Sequence, residues 1–218
     1  MFFNKYFMEI KLENIKSYCV HLKKRKDREK NMIKELNSFT DNWEVFDAIA
    51  MSPGYKGTSE SFKSIIRQAK SNNLEHVLIF EDDVKFTSKN SKIKFQKAID
   101  SLPENWDILL GGVYHLTNKE IKANGHILKV DDFSSLHCTL INKTAYDAIL
   151  QHNYKGSKHL DRYLGKLSKE NKINVYLTYP MVAIQYNTFS DNVKRSVNYD
   201  KLLEKFELFE YKKQKKSY

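Results

Sequence analysis

The chain is short of the residues that punctuate turns: 7 glycines and 3 prolines in 218 residues. A sandwich of many short strands needs turn residues at each reversal, so the composition argues against a turn-dense all-β fold. Only two cysteines occur, Cys19 and Cys138. Neither sits in a Cys-x-x-Cys pair, which removes zinc-ribbon and thioredoxin-type chemistry. Buried free thiols in a reducing compartment are expected instead. No run approaches the ~18 apolar residues needed to span a bilayer. The opening MFFNKYFMEIKLENIK is aromatic but broken by Asn4, Lys5 and Glu9, so it lacks the apolar centre of a secretion signal. A soluble cytoplasmic protein without a transmembrane anchor is expected (in the host cytoplasm, should the Lys-, Asn- and Ile-rich composition reflect a viral genome). His-Glu-x-x-His, Walker A, Gly-x-Gly-x-x-Gly and Gly-x-Ser-x-Gly patterns are all missing. That leaves no motif-based case for a zincin, a P-loop enzyme, a dinucleotide-binding enzyme or a hydrolase elbow.

What the chain has in excess is positive charge: 37 Lys and Arg against 27 Asp and Glu, a formal net charge of +10. The surplus favours anionic partners. It is spread along the sequence, densest at KKRKDR and KKQKK, and forms no single stripe with interleaved aromatics, so specific nucleic-acid binding is not expected. Hydrophobic residues make up 41% and aromatics 13%, a normal globular share. The length suits one domain over 1–218, with its core in about 15–195 and a C-terminal helix and basic tail in 196–218.

Strand-like and helix-like patterns alternate. Residues 17–22 (SYCVHL) predict a strand, followed by a helix in KKRKDREKNMIKELNSF with Met32, Ile33, Leu36 and Phe39 on one face. WEVFDAIA is a second strand. A PGYKG turn follows, then a helix N-capped by Thr58 or Ser59, with Phe62, Ile65, Ile66 and Ala69 facing the core. HVLIF is a third strand, apolar throughout as expected when both faces are covered. Further on, NSKIKFQKAIDSL, KTAYDAILQH and LDRYLGKLSK predict helices, and WDILLGG, HILKV and LHCTLI predict strands. INVYLTYPMVAIQ is extended and bends at Pro180. Such alternation implies βαβ units: an α/β fold with a mainly parallel sheet flanked by helices, in which ligands bind beyond the carboxyl ends of the strands.

At that end of the third strand stand Glu81, Asp82 and Asp83. Adjacent carboxylates repel and resist desolvation unless a cation offsets them; the alternative is a solvated acidic turn. Their position at the ligand edge favours a hard divalent cation, Mg²⁺ or Mn²⁺, shared with phosphate oxygens, as in transfer from a nucleotide sugar. Arg25 and Arg28 follow the first strand, where a nucleotide could dock; each is otherwise a surface arginine. Asp161, near a helix start, either answers the helix dipole or is the base that deprotonates an acceptor hydroxyl. Asp191, beside Ser190 in NTFSDN, is either part of an Asx turn or a late metal or phosphate contact. His137 is either a core histidine or a ligand contact.

Several of these segments, in order, resemble glycosyltransferase family 25, which holds lipopolysaccharide galactosyltransferases and procollagen galactosyltransferases. SYCVHLKKRKDREKNM resembles its first strand and arginine-bearing helix, with His21 where the family usually has Asn. WEVFDAIA resembles the second strand, with Asp47 and Ala48 at its nucleotide-facing end. GTSESFKSIIRQAKSNNLEHVLIFEDDV matches at Gly57, Ser61 and the Glu-Asp-Asp-Val run, but has Thr58 for Cys and Phe62 for His. WDILLGG, LHCTLINKTAYDAIL (at His137 and Ala145), HLDRYL and VAIQYNTFSDN complete the series. The resemblance implies a GT-A fold, a UDP-sugar donor, Mn²⁺ or Mg²⁺, and inversion at the anomeric carbon. It implies a metal site at Glu81 and Asp83, with Asp191 as a later ligand. Donor contacts would come from His21, Arg25, Arg28, Asp47, Ala48, Gly57, Ser61, Glu81, Asp82, Asp83 and His137.

The leading expectation is therefore an inverting, metal-dependent transferase moving a glucose- or galactose-type hexose. Its acceptor would be a hydroxyl on a glycan or protein, lipopolysaccharide-like or collagen-like, with Asp161 as base. Two other classes remain: a metal-dependent nuclease, for which basic charge beside clustered acids speaks, and a non-catalytic nucleotide-sugar-binding relative.

Overall fold

The apolar run 77–80 lies at the centre of the fold because its side chains are buried on both faces. The computed structural model of the chain describes residues 9–117, 123–155, 157, 159–190 and 194–204. The first half supplies strands β1 (Ser17–His21), β2 (Trp43–Asp47), β3 (His76–Glu81), β4 (Val84–Phe86) and β5 (Ile108–Leu110), with helices α1 (Lys26–Asn37), α2 (Gly54–Ser71) and α3 (Ser91–Asp100). The second half adds β6 (His115–Leu116), β7 (Ala123–Asn124), β8 (Ile127–Val130), β9 (Phe133–Ser134) and β10 (Cys138–Asn142). Then come α4 (Tyr146–Leu150), α5 (Leu160–Lys169), β11 (Val175–Thr178), β12 (Ala183–Gln185), β13 (Thr188–Ser190), β14 (Arg195–Val197) and α6 (Tyr199–Glu204).

Eight strands form the main sheet in the order β2-β1-β3-β10-β5-β11-β8-β7. Strands β1, β2, β3, β5, β7 and β11 run one way, and β8 and β10 run against them. The period-2 alternation of each strand divides the core in two. Val20, Val77, Ile79, Ile108 and Leu177 face α2, α4 and α5. Cys19, Leu78, Phe80, Leu109 and Leu140 face α1 and α3. This is the expected α/β architecture, with a mainly parallel sheet in one domain and helices on both faces. No helix among the described residues is long and apolar enough to cross a membrane.

Local readings differ in three places. Helix α2 begins at Gly54 with Pro53 as N-cap, so PGYKG is no turn, and Thr58 and Ser59 lie inside the helix. Proline's fixed φ and missing N–H suit a helix start better than a hydroxyl cap five or six residues later. Ile33 is 47% exposed, because α1 packs on the stripe through Met32 and Leu36, and the next residue is turned away. Thr188–Ser190 of NTFSDN form strand β13, which pairs with β14, while Asp191 and Asn192 lie outside the described residues. Pro180, cis to Tyr179, lies in the bend between β11 and β12. Of the C-terminal segment, α6 is described; residues 205–218 lie outside the described residues.

Candidate functional site

Strands β1 and β3 run parallel and end at one edge, where Val20 pairs in register with Glu81. A cleft of about 380 Å³ opens there. Its walls come from the β1–α1 connection, the β2–α2 loop, the turn after β3, the N-terminus of α5, the end of β12 and the β13–β14 hairpin. Glu81 closes β3, and Asp82 and Asp83 form the tight turn into β4. Strand β4 pairs with β12 rather than with the main sheet, which turns the acids across the cleft.

Each acid is held by named donors. Asp82 accepts from His21 Nδ1 at 2.7 Å and from Arg28 Nη1. Asp83 Oδ2 lies 3.1 Å from the same guanidinium nitrogen. The Gln185 amide at the end of β12 spans the other two, donating to Asp83 Oδ1 at 3.1 Å and to Glu81 Oε2 at 3.3 Å. Burial pushes the Glu81 carboxyl well above the ordinary carboxylate range, and the charges of Asp83, Asp161 and Asp82 push it further against the opposition of Arg28. Burial likewise raises Asp83, with Arg28 opposing. Burial works against the charge of Arg28, but Asp83 and Asp82 more than offset it, so this guanidinium stays charged.

Asp161 stands in the first turn of α5, where an acid also suits the helix dipole. Its Oδ2 accepts from the backbone N–H of Ser135 at 2.9 Å and its Oδ1 from that of Arg162 at 2.8 Å. Both oxygens are thereby oriented, each with a lone pair to spare. Tyr114 and Tyr199 also line the cleft, ring centroids 5.6 Å apart; Tyr114 feels the charges of Asp161 and Glu81, and Tyr199 those of Asp83 and Glu81.

Of the residues singled out from the sequence, Arg28, Ala48, Gly57, Glu81, Asp82, Asp83 and Asp161 line the cleft. Five described ones stand behind or outside its wall. His21 is buried and backs Asp82. Arg25 donates to Asp27 and, at 2.9 Å, to the Phe189 carbonyl, fastening β13 to α1. Asp47 is exposed and pairs with Lys23. Ser61 is buried; it accepts from Ile49 N and donates to the Gly57 carbonyl, both at 2.8 Å, which fixes the β2–α2 loop. His137 is buried behind Ser135, and burial pushes it down to about 4, so it is neutral near pH 7. Asp191 lies outside the described residues. Phe62 is 1% exposed in the core, so the helix position it fills does not face the cleft.

The acids offer hard oxygen donors of the kind Mg²⁺ or Mn²⁺ takes, and Glu81, Asp82, Asp83 and Asp161 all line the one cleft. Among the described residues no three His, Cys, Asp or Glu side chains form a ready metal cage, so remaining ligands would come from phosphate oxygens or water. Gln185, Ser135, Tyr114, Tyr199, Lys194 and Arg195 also line the cleft, and sequence reasoning misses all six. Gln185 ends an apolar run that reads as core, and Ser135 sits in a short polar link.

No family model matches the sequence, and no curated protein matches it. Solved structures do resemble the fold. A197 from STIV is 11% identical, with a TM-score of 0.49, over 83% of this chain and 91% of that one. The mannose-1-phosphate geranyltransferase from Thermus thermophilus is 9% identical, with a TM-score of 0.37, over 74% of this chain and 58% of that one. A glycosyltransferase involved in the glycosylation of the major capsid of PBCV-1 is 12% identical, with a TM-score of 0.51, over 87% of this chain and 98% of that one. At that identity the likeness is one of fold: the chain has a GT-A-like α/β fold shared with a glycosyltransferase.

Proposed function

We propose that the protein is an inverting glycosyltransferase that moves a glucose- or galactose-type hexose from a UDP-sugar to a hydroxyl of a glycan or glycosylated-protein acceptor. The observation that carries this reading is the pairing, in one cleft, of a buried acid cluster at the end of β3 with an oriented carboxylate at the start of α5. The shared fold supports it at the level of architecture.

In the reaction the acceptor oxygen attacks the anomeric carbon from the face opposite the diphosphate. A carbon–oxygen bond to the acceptor forms as the bond to the diphosphate breaks. Asp161 takes the hydroxyl proton; help of this kind typically contributes about 10²–10⁴-fold. Glu81 and Asp83 would hold a divalent cation, with Asp191 as the further ligand expected from the sequence. Such a cation, when bound, neutralises charge on the leaving diphosphate. Arg28 holds Asp82 and Asp83 in place, and Lys24 and Arg195 bring positive charge to the wall that would meet phosphate.

The test is UDP release from UDP-glucose and UDP-galactose, with Mn²⁺ and with chelator. Slow metal-dependent hydrolysis without acceptor is the expected result. Absence of both hydrolysis and UDP binding would sink the proposal.

A further inference from the structure

Ser135 joins the two sides of the cleft. Its backbone N–H donates to Asp161 Oδ2 at 2.9 Å. Its hydroxyl lies 3.4 Å from Gln185 Oε1, and the amide nitrogen of Gln185 reaches Asp83 and Glu81 at 3.1 and 3.3 Å. The direction of this chain is fixed by its far end. Asp83, paired with the charged Arg28, accepts at Oδ1, so the Gln185 amide presents nitrogen to it and oxygen to Ser135. That oxygen needs a donor, which is the Ser135 hydroxyl. The hydroxyl also lies in short hydrogen-bond contact with Nδ1 of His137, a buried ring that is neutral near pH 7.

The backbone of Ser135 is unusual as well. Its φ is 109°, a region that favours glycine. A glycine would adopt this conformation freely and would still offer its N–H to Asp161. What only the serine supplies is the hydroxyl that holds Gln185. Strain of this kind persists where surrounding structure over-determines it, and it clusters at functional sites.

We propose that Ser135 is a positioning residue that sets the base, Asp161, and the acid cluster, through Gln185, in one fixed geometry. The inference rests on the transferase reading above, since it assigns Asp161 and the acids the roles given there. Loss of the hydroxyl frees the Gln185 amide to rotate, and with it the rotamers of Glu81 and Asp83, while Asp161 keeps its backbone donor.

Ser135→Gly is the informative variant, because it removes the hydroxyl and relieves the backbone together. Its thermal midpoint is expected to equal or exceed that of the parent. Its Mn²⁺ affinity, read by electron paramagnetic resonance, should fall roughly 10-fold, the usual order for a lost partner behind a metal ligand. Its kcat for UDP-sugar hydrolysis should fall on the order of 10- to 100-fold. Gln185→Met, which keeps the volume and removes the amide, should reproduce both losses and provides the test should the glycine variant fold poorly. A parent-like Mn²⁺ affinity and kcat in either folded variant overturns the inference alone. A loss of function in Ser135→Gly that merely follows a loss of stability, without the same loss in Gln185→Met, also overturns it. A parent protein that neither hydrolyses UDP-sugars nor binds UDP overturns the transferase reading, and this inference with it.

Discussion

Arg28 and Asp83 form a buried ion pair, with Nη1 3.1 Å from Oδ2 and the side chains only 12% and 6% exposed. The same guanidinium bonds Asp82 and donates to the Phe189 carbonyl at 2.8 Å. Removing it strands two buried carboxylates. Arg28→Ala is expected to cost about 3–5 kcal/mol, the usual range when one partner of a buried pair is lost. Urea unfolding measures this, and Asp83→Asn added to Arg28→Ala should recover part of it; additive losses would show that the pair is not coupled.

Asp83 and Asp161 should separate in their effects. Asp83→Asn is expected to abolish transfer with the circular dichroism spectrum unchanged, and near-parental turnover would remove the metal assignment. Asp161→Asn should lose about 10²–10⁴-fold in turnover while keeping UDP affinity. Calorimetry with UDP decides the second case: weakened UDP binding would move Asp161 to the donor or metal side.

Stability should fall on acidification through the histidine range. His137 is held near 4 by burial, below the ordinary histidine value of 6.5, so the unfolded chain binds its proton first. The contribution is fully present above about pH 6.5 and is lost as pH falls toward about 4, reaching roughly 3 kcal/mol by linkage. Burial lowers His76 and His152 also, with the same sign. Urea midpoints at pH 7 and pH 4.5 should converge more closely in His137→Gln than in the parent; equal slopes would locate the acid sensitivity elsewhere.

Gly57→Ala should be harmful although alanine is the better helix former by about 1 kcal/mol. A Cβ at position 57 would stand 2.2 Å from the Ile49 carbonyl oxygen, and backbone cannot move aside cheaply. The helix start and the β2–α2 loop would separate, carrying Ile49 and Met51 away from the cleft wall. A lower thermal midpoint together with weaker UDP binding is expected; a midpoint above the parent's would show that the loop yields freely.

The fold is largely legible in the sequence because its strands are apolar runs and its helices carry clear stripes. Val77 to Phe80 and the Met32–Leu36 pair announce themselves by hydrophobic pattern alone. The acid triplet is legible because charge after an apolar strand is costly and therefore conspicuous. Gln185 and Ser135 are not, since their roles arise from contacts across 102 and 26 positions of sequence. Arg25, Ser61 and His21 show the opposite failing. Each is expected as a donor contact, yet in the fold each bonds a neighbouring protein group. Sequence shows which residues carry chemistry; only the fold shows which of them already have partners.

Cys19 and Cys138 both pair in register with Phe80, one from β1 and one from β10, and both are fully buried. Burial drives each thiol pKa up, so almost no thiolate forms in the native state. The two sulfurs therefore act as an internal gauge of the sheet's centre. A thiol reagent reaches either one only when the helices of the α1 and α3 layer lift from the sheet or the strands part, and the labelling rate counts those openings.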